Sequence, residues 1–272
     1  MGGTEITIRD VIYLLHDPVA STWSSDHNAL RYQAQAQQLG SACKVWLKQV
    51  KILFPTQISL LFKTSLEKEM RLLEELAQEK NRDFPYLLNQ YTTERYIIVA
   101  YEAIVGHPLT EVFGSFVKPL EPQLVSSFIQ SIMHICDQLE VLHDKKRSHR
   151  NLTPEALLLM SNGRTALQDI GLAAQPFESG EGPFLYRAPE QARTIIDVPG
   201  FYTDIYQLGA ILYHVLTGHS ISSPDHVIPP GKLNSAISQE LDQVLMQAVN
   251  PTVKKRWPSI RDFAGALEKF TK

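Results

Sequence analysis

A change of texture at Gly106-His107-Pro108 constrains what this chain can fold into more than any other feature. Before it, short runs rich in β-branched and aromatic residues predict strands over 11–15, 30–35, 43–48, 57–61 and 96–101. One helix interrupts them. Thr64-Ser65-Leu66-Glu67 has the capping-box spacing, and Leu66, Met70, Leu73 and Ala77 behind it fall on one helical face suited to packing on a sheet. After the boundary the apolar residues recur at helical spacing: Leu124, Phe128, Ile132, Ile135 and Leu139, then Leu208, Ile211, Leu212 and Val215. Two further helices are expected over 238–249 and 258–270, the last with Pro258 in its first turn. The pattern predicts an α+β chain, a small antiparallel β-rich part with one main helix followed by a larger helical part. It has no internal repeat, so Gly106 and its neighbours read as a hinge within one unit.

Composition narrows the function classes. A net charge of -3 and 44% hydrophobic residues give no electrostatic pull toward nucleic acid, and no nucleic-acid partner is expected. The longest apolar stretch, 96–105, is too short to span a bilayer and is interrupted by Glu102, so no membrane segment is expected. The amino terminus offers Gly2 but has Ile6 where an acylation motif needs Ser or Thr, and it reads as no anchor. Cys43 and Cys136 belong to no metal-ligand spacing and read as reduced, packed thiols, which suits a cytoplasmic location.

Four motifs then follow in order: His149-Arg150-Asn151-Leu152-Thr153-Pro154-Glu155-Ala156, Asp169-Ile170-Gly171, Ala188-Pro189-Glu190, and Asp204-Ile205-Tyr206-Gln207-Leu208-Gly209. They resemble the H-R-D-L-x-x-x-N, D-F-G, A-P-E and D-x-Y-x-L-G landmarks of Ser/Thr protein kinases, particularly the bacterial members. Upstream, Ala42-Cys43-Lys44 resembles the V-A-I-K strand, Glu69 the first long helix, and Ala100-Tyr101-Glu102 with Gly106 the hinge. The resemblance implies a single two-lobed kinase-like domain over 1–272, with an N-lobe at 1–102, a hinge at 103–107 and a C-lobe at 108–272.

The same resemblance assigns roles. Lys44 and Glu69 match the ion pair that positions ATP phosphates, with Lys48 as the alternative lysine if the strand register is shifted. Glu102 and Ile104 fall in the ATP cleft, with Tyr101 as its gatekeeper. Asp169 matches the magnesium-binding carboxylate. His149, Asp204, Glu190 and Arg256 match residues that brace the fold, the last two as a buried ion pair, and Arg150 matches the basic partner of a phosphorylated activation loop. Either Glu178 or Glu181 is expected to replace that phosphate, or both are solvated loop charges. Lys145-Lys146-Arg147 reads as a solvated turn or as a partner surface.

The departures point one way. Asn151 stands where the catalytic Asp belongs, Thr153 where most relatives place a Lys, and Ala156 where the second metal ligand belongs. Ile170 replaces the Phe of D-F-G. No glycine lies between Gly3 and Gly40, where the family has its G-x-G-x-x-G loop; Ser24-Ser25-Asp26-His27-Asn28-Ala29 stands there, either setting a carboxylate near phosphate or forming a solvated tip. A degenerate, inactive pseudokinase is expected, a regulatory or scaffold-like signalling module that binds a protein partner or another domain of a larger protein. It would need no cofactor, with ATP and magnesium doubtful. An ATP-binding switch and a divergent phosphoryl- or nucleotidyl-transfer enzyme are the alternatives.

Overall fold

A computed structural model describes residues 4–16, 19–78, 84–114, 116–192 and 197–271. The chain divides into two compact units, Met1–Val105 and Gly106–Lys272. The first is built on an antiparallel sheet of β1 (Glu5–Ile8), β2 (Val11–Leu15), β3 (Ala20–Trp23), β4 (Ala29–Gln38) and β5 (Lys44–Ile52). Helix α1 (Gln57–Ala77) follows, and β6 (Leu87–Thr92) and β7 (Tyr96–Glu102) complete the sheet. Strand order is β1-β2-β4-β5-β7-β6, with β3 also paired to β4. β3 covers the first half of β4, from Trp23 opposite Leu30 to Ala20 opposite Gln33, and β2 covers its far end, with Tyr13 opposite Gln38.

Alternation along β5 gives the sheet two faces. Val45 and Leu47 join Ile8, Tyr13, Ala36, Ile98 and Ala100 in one apolar core. Trp46, Lys48, Val50 and Ile52 lie on the other face, on which α1 packs through Leu66, Leu72, Leu73 and Leu76. The expected packing helix is therefore present but starts earlier than the sequence suggested. Thr56, not Thr64, is its N-cap: Thr56 Oγ1 accepts from Ser59 N, and Ser59 Oγ accepts from Thr56 N. That reciprocal cap places 57–61 in the first two turns of α1 rather than in a strand. Ile58, Leu60 and Leu61, which suggested the strand, remain exposed on the helix surface.

In the second unit, β8 (Gly106–Pro108) leads through α2 (Leu109–Phe113) into α3 (Pro122–Asp144). β8 also forms a small sheet with β9 (Leu157–Met160) and β10 (Thr165–Leu167). Then come α4 (Pro189–Ala192), α5 (Phe201–Thr217), α6 (Pro230–Leu233), α7 (Gln239–Ala248) and α8 (Ile260–Leu267). α5 is buried over most of its length, as an apolar helix without a polar face must be, and α3, α7 and α8 pack on it. Gly209 permits this closeness: a Cβ there would sit 2.7 Å from the Cβ of Ala248. Ser238 and Ser259 cap α7 and α8 as acceptors from Leu241 N and Asp262 N, so Pro258 precedes the last cap instead of occupying the first turn. Among the described residues no helix is long and apolar enough to cross a membrane.

Candidate functional site

The second unit holds a loop, 149–156, fixed almost wholly from below by α5. Asp204, fully buried near the start of α5, accepts from His149 N at 2.9 Å and Arg150 N at 2.7 Å, and His143 Nε2 lies 2.8 Å from the same carboxylate. Gln207, one turn further along, accepts from Leu152 N at 3.0 Å and donates to Arg150 O at 3.1 Å. Gln191 donates to Arg150 O at 2.8 Å and accepts from Ala188 N and from Gln207 Nε2. These bonds compensate for the left-handed backbone of Arg150, whose φ is +58°. Gln191 and Gln207 were missed in the sequence. Their signal was positional, one directly after Ala188-Pro189-Glu190 and the other three residues after Asp204, but an isolated Gln carries no chemistry of its own.

The expected bracing residues are all brought into this frame. His149 is fully buried, and its Nε2 lies 3.3 Å from Asp169 O and 3.5 Å from Asp169 Oδ1. Gly171 makes that closeness possible, since a Cβ on it would lie 2.5 Å from the His149 ring and its φ is +53°. Glu190 and Arg256 form a two-pronged buried pair, with Nη1 to Oε1 and Nη2 to Oε2 both at 2.8 Å. Thr203 Oγ1 also donates to Glu190, and Arg256 donates to Asn250 O and Tyr202 O. Burial pushes the Glu190 carboxyl up, but Arg256 and Thr203 outweigh it and hold the pKa below its ordinary value.

Arg150 answers the question left open for the segment at 172–187. Its Nη1 contacts both carboxylate oxygens of Glu181, at 2.9 and 3.1 Å, while Nη2 donates to Leu172 O and Gln175 O. Both side chains are nearly buried, at 5% and 6% exposure, so this is no surface contact. Glu178 contributes its backbone N–H to Glu181, and its own side chain plays no part in the pair. The segment is tied down by a carboxylate of the chain itself.

The reactive positions contrast with that frame. Asn151 is half-buried and its backbone N–H lies 3.3 Å from His149 Nδ1. Thr153 precedes a short 3-10 turn, Pro154–Ala156, without capping it through its hydroxyl. Ala156 O accepts from Gln168 N, next to Asp169, but its methyl group brings no donor atom. Asp169 Oδ1 accepts from Gly171 N at 2.8 Å, and Ile170 is buried behind it. Among the described residues no group of three His, Cys, Asp or Glu could hold a metal. The donor set does not fit the two-ligand magnesium site that the resemblance implies: it offers one carboxylate and, at the companion position, a methyl group.

In the first unit the ion pair belongs to Lys48, not Lys44. Lys48 Nζ is 2.5 Å from Glu69 Oε1 and 5.9 Å from the Tyr101 ring centroid. Lys44 begins β5 with its side chain exposed. The reason is reach: the two lysines share a strand face but stand four residues apart, roughly 13 Å, and only Lys48 lies beneath α1. Val45-Trp46-Leu47-Lys48 is also the better fit to V-A-I-K, with Val45 and Leu47 facing the core as that pattern requires. Trp46 thus replaces the Ala, on the same face as Lys48. Glu102 ends β7 with an exposed side chain and its N–H on Tyr86 O, and Ile104 follows half-buried.

The hairpin tip is not merely solvated. Asp26 accepts from Ser24 Oγ at 2.6 Å, from Asn28 N at 3.1 Å and from Thr56 Oγ1, and these bonds hold its carboxyl well below the usual range. The carboxylate is spent on the N-cap of α1.

The protein kinase domain family matches residues 37–272, and the chain belongs to that family. It is 27% identical over 193 residues to serine/threonine-protein kinase PknB of Mycobacterium tuberculosis, covering 63% of this chain and 30% of that protein. It is 26% identical over 234 residues to "Probable serine/threonine-protein kinase CPE1738" of Clostridium perfringens, covering 78% and 33%. It is 23% identical over 212 residues to PknB of Mycolicibacterium smegmatis, covering 70% and 31%. The chain spans about a third of the length of these relatives.

Proposed function

We propose that this chain is a pseudokinase, a kinase fold that does not transfer phosphate and acts by binding or regulating a protein partner or another domain of a larger protein. The observation that carries the reading is the loop at 149–156, whose supports are bonded while Asn151, Thr153 and Ala156 bring no base, no cation and no metal ligand. An amide accepts no proton at neutral pH, and losing a general base costs about 10²- to 10⁴-fold in rate. Losing the cation and the metal ligand removes electrostatic stabilisation of the transferring group, commonly the larger share. Glu181 supports the reading from another side: Arg150 already holds a carboxylate, so the segment needs no phosphate to stay in place. Trp46 and Asp26 weigh against ordinary nucleotide handling, the first by its bulk beside Lys48, the second because its tip lacks the glycines of a phosphate loop.

One observation favours a second reading. Lys48–Glu69 and Asp169 are retained, and these are the groups an ATP-binding switch would keep. Thermal unfolding with millimolar ATP, with and without magnesium, separates the two, since a ligand selective for the folded state must stabilise it. The pseudokinase reading without nucleotide predicts no shift; a magnesium-dependent rise in Tm would replace it with the switch.

A further inference from the structure

The face of the first sheet turned away from α1 is only partly covered. Hairpin β1–β2 closes one end of it, where Ala36, Val45 and Ala100 share an apolar core with Ile8 and Tyr13. Further along β4 that cover stops. Leu15 of β2 stands opposite Ala36 and Ala20 of β3 opposite Gln33, so the register changes between the two strands and neither pairs with Ala34 on that edge. Beside the break lies a cavity of about 300 Å³. Buried Ala34 and Leu47, which stand opposite each other, and half-buried Ile6 and Leu15 make one end of its lining apolar. Along β5 the lining then turns polar: Gln49 and Lys51 follow Leu47 at alternate positions, and Tyr32 stands opposite Gln49 on β4. Lys51 is exposed, and it is the one charged residue among the described lining residues.

We propose that this cavity binds a small carboxylate amphiphile, a fatty-type acid whose apolar tail lies against Ala34 and Leu47 and whose carboxylate meets Lys51. Its volume is at the small end of ligand-sized cavities, roughly 300–1,000 Å³, which suits a medium-length tail. An unfilled apolar hollow forfeits dispersion contacts that such a tail supplies. The single cation at the polar end selects an anionic head and opposes a cationic one. Lys48 lies on the other face of β5, so the site is separate from the Lys48–Glu69 pair and does not depend on whether the chain transfers phosphate. Ile6, Leu15, Tyr32 and Ala34 also precede the part of the chain that the kinase family matches.

The test titrates the full chain with octanoate, kept below its micelle concentration, and separately with octylamine and butyrate, reading affinity by isothermal calorimetry. The variants are Lys51→Glu, Ala34→Leu and, as a control, Lys44→Glu, which changes an exposed lysine of the same strand outside the cavity. The proposal predicts saturable octanoate binding by the wild type and markedly weaker binding of octylamine, which has the wrong charge, and of butyrate, which has too short a tail. Lys51→Glu should weaken octanoate binding about fivefold or more, as expected when an attraction at the cavity rim becomes a repulsion. Ala34→Leu, whose added isopropyl group occupies the apolar end, should weaken it at least as much, and Lys44→Glu should bind as the wild type does. No saturable octanoate binding by the wild type, equal affinity for octylamine, or equal affinities in Lys51→Glu and Lys44→Glu would overturn it. Should Ala34→Leu fail to fold, the two exposed lysine substitutions carry the test with the same overturning results.

Discussion

Where the resemblance to active kinases implies phosphate-facing residues, the hairpin tip of the first unit and the loop at 149–156 of the second carry substitutes that differ in kind. At the tip the substitutes are employed elsewhere: Asp26 caps α1 through Thr56, and Ser24 closes the turn by accepting from Ala29 N at 2.9 Å. In the loop the substitutes contribute little, Ala156 offering only a methyl group and Thr153 leaving its turn uncapped, while everything beneath them is retained. The difference teaches that the polar side chains of the tip hold the helix of their own unit, whereas the loop at 149–156 is held by buried groups beneath it rather than by the side chains of Thr153 and Ala156.

If the frame of the second unit matters most, breaking it should have the largest effect. Glu190→Gln leaves Arg256 buried beside an amide, and denaturant unfolding should show a loss of about 3–5 kcal/mol. The same pair gives a pH signature. Because the folded carboxyl titrates below its ordinary value, near 4.5, its contribution is fully present above that value. It is lost as pH falls through the folded value, and Glu190→Gln should flatten the acid limb of the stability curve. Next in size, Gly171→Ala drives a Cβ into the His149 ring and requires positive φ, which should cost about 1–3 kcal/mol in the same assay. Gln207→Ala strands the buried Leu152 N–H and should also cost about 1–3 kcal/mol.

Smaller effects sharpen the contrast within the first unit. Lys48→Met should lower stability by roughly 1 kcal/mol because its partner Glu69 is mostly buried, whereas Lys44→Met should stay within about 0.5 kcal/mol of wild type. Equal losses for the two lysines would restore the alternative pairing. Asp26→Asn should have the smallest effect on Tm, a slight fall, with faster hydrogen exchange confined to the first turn of α1. Unchanged exchange there would return the tip to an ordinary solvated loop.

The sequence carried the order of elements and the bracing chemistry well, because motifs such as Asp204-Ile205-Tyr206-Gln207-Leu208-Gly209 fix helix, burial and partner together. It was weaker where one pattern fits two geometries. Ile58, Leu60 and Leu61 read as a strand because so short an apolar run carries no clear period, and only the Thr56–Ser59 cap decides for helix. Lys44 and Lys48 share a strand face, so alternation alone does not choose between them. Glu178 and Glu181 were equivalent as loop charges until the backbone placed Glu181 on Arg150. Gln191 and Gln207 act through contacts distant in sequence, and neither spacing nor residue type announces them.

The central claim is that the frame at 149–156 supports no phosphoryl transfer, and phosphate incorporation tests it most directly. Wild-type chain and its Asp169→Asn variant are incubated with labelled ATP and magnesium, alone and with a generic protein substrate. The account predicts background incorporation in every reaction. Incorporation well above background by the wild type, abolished by Asp169→Asn, would contradict it.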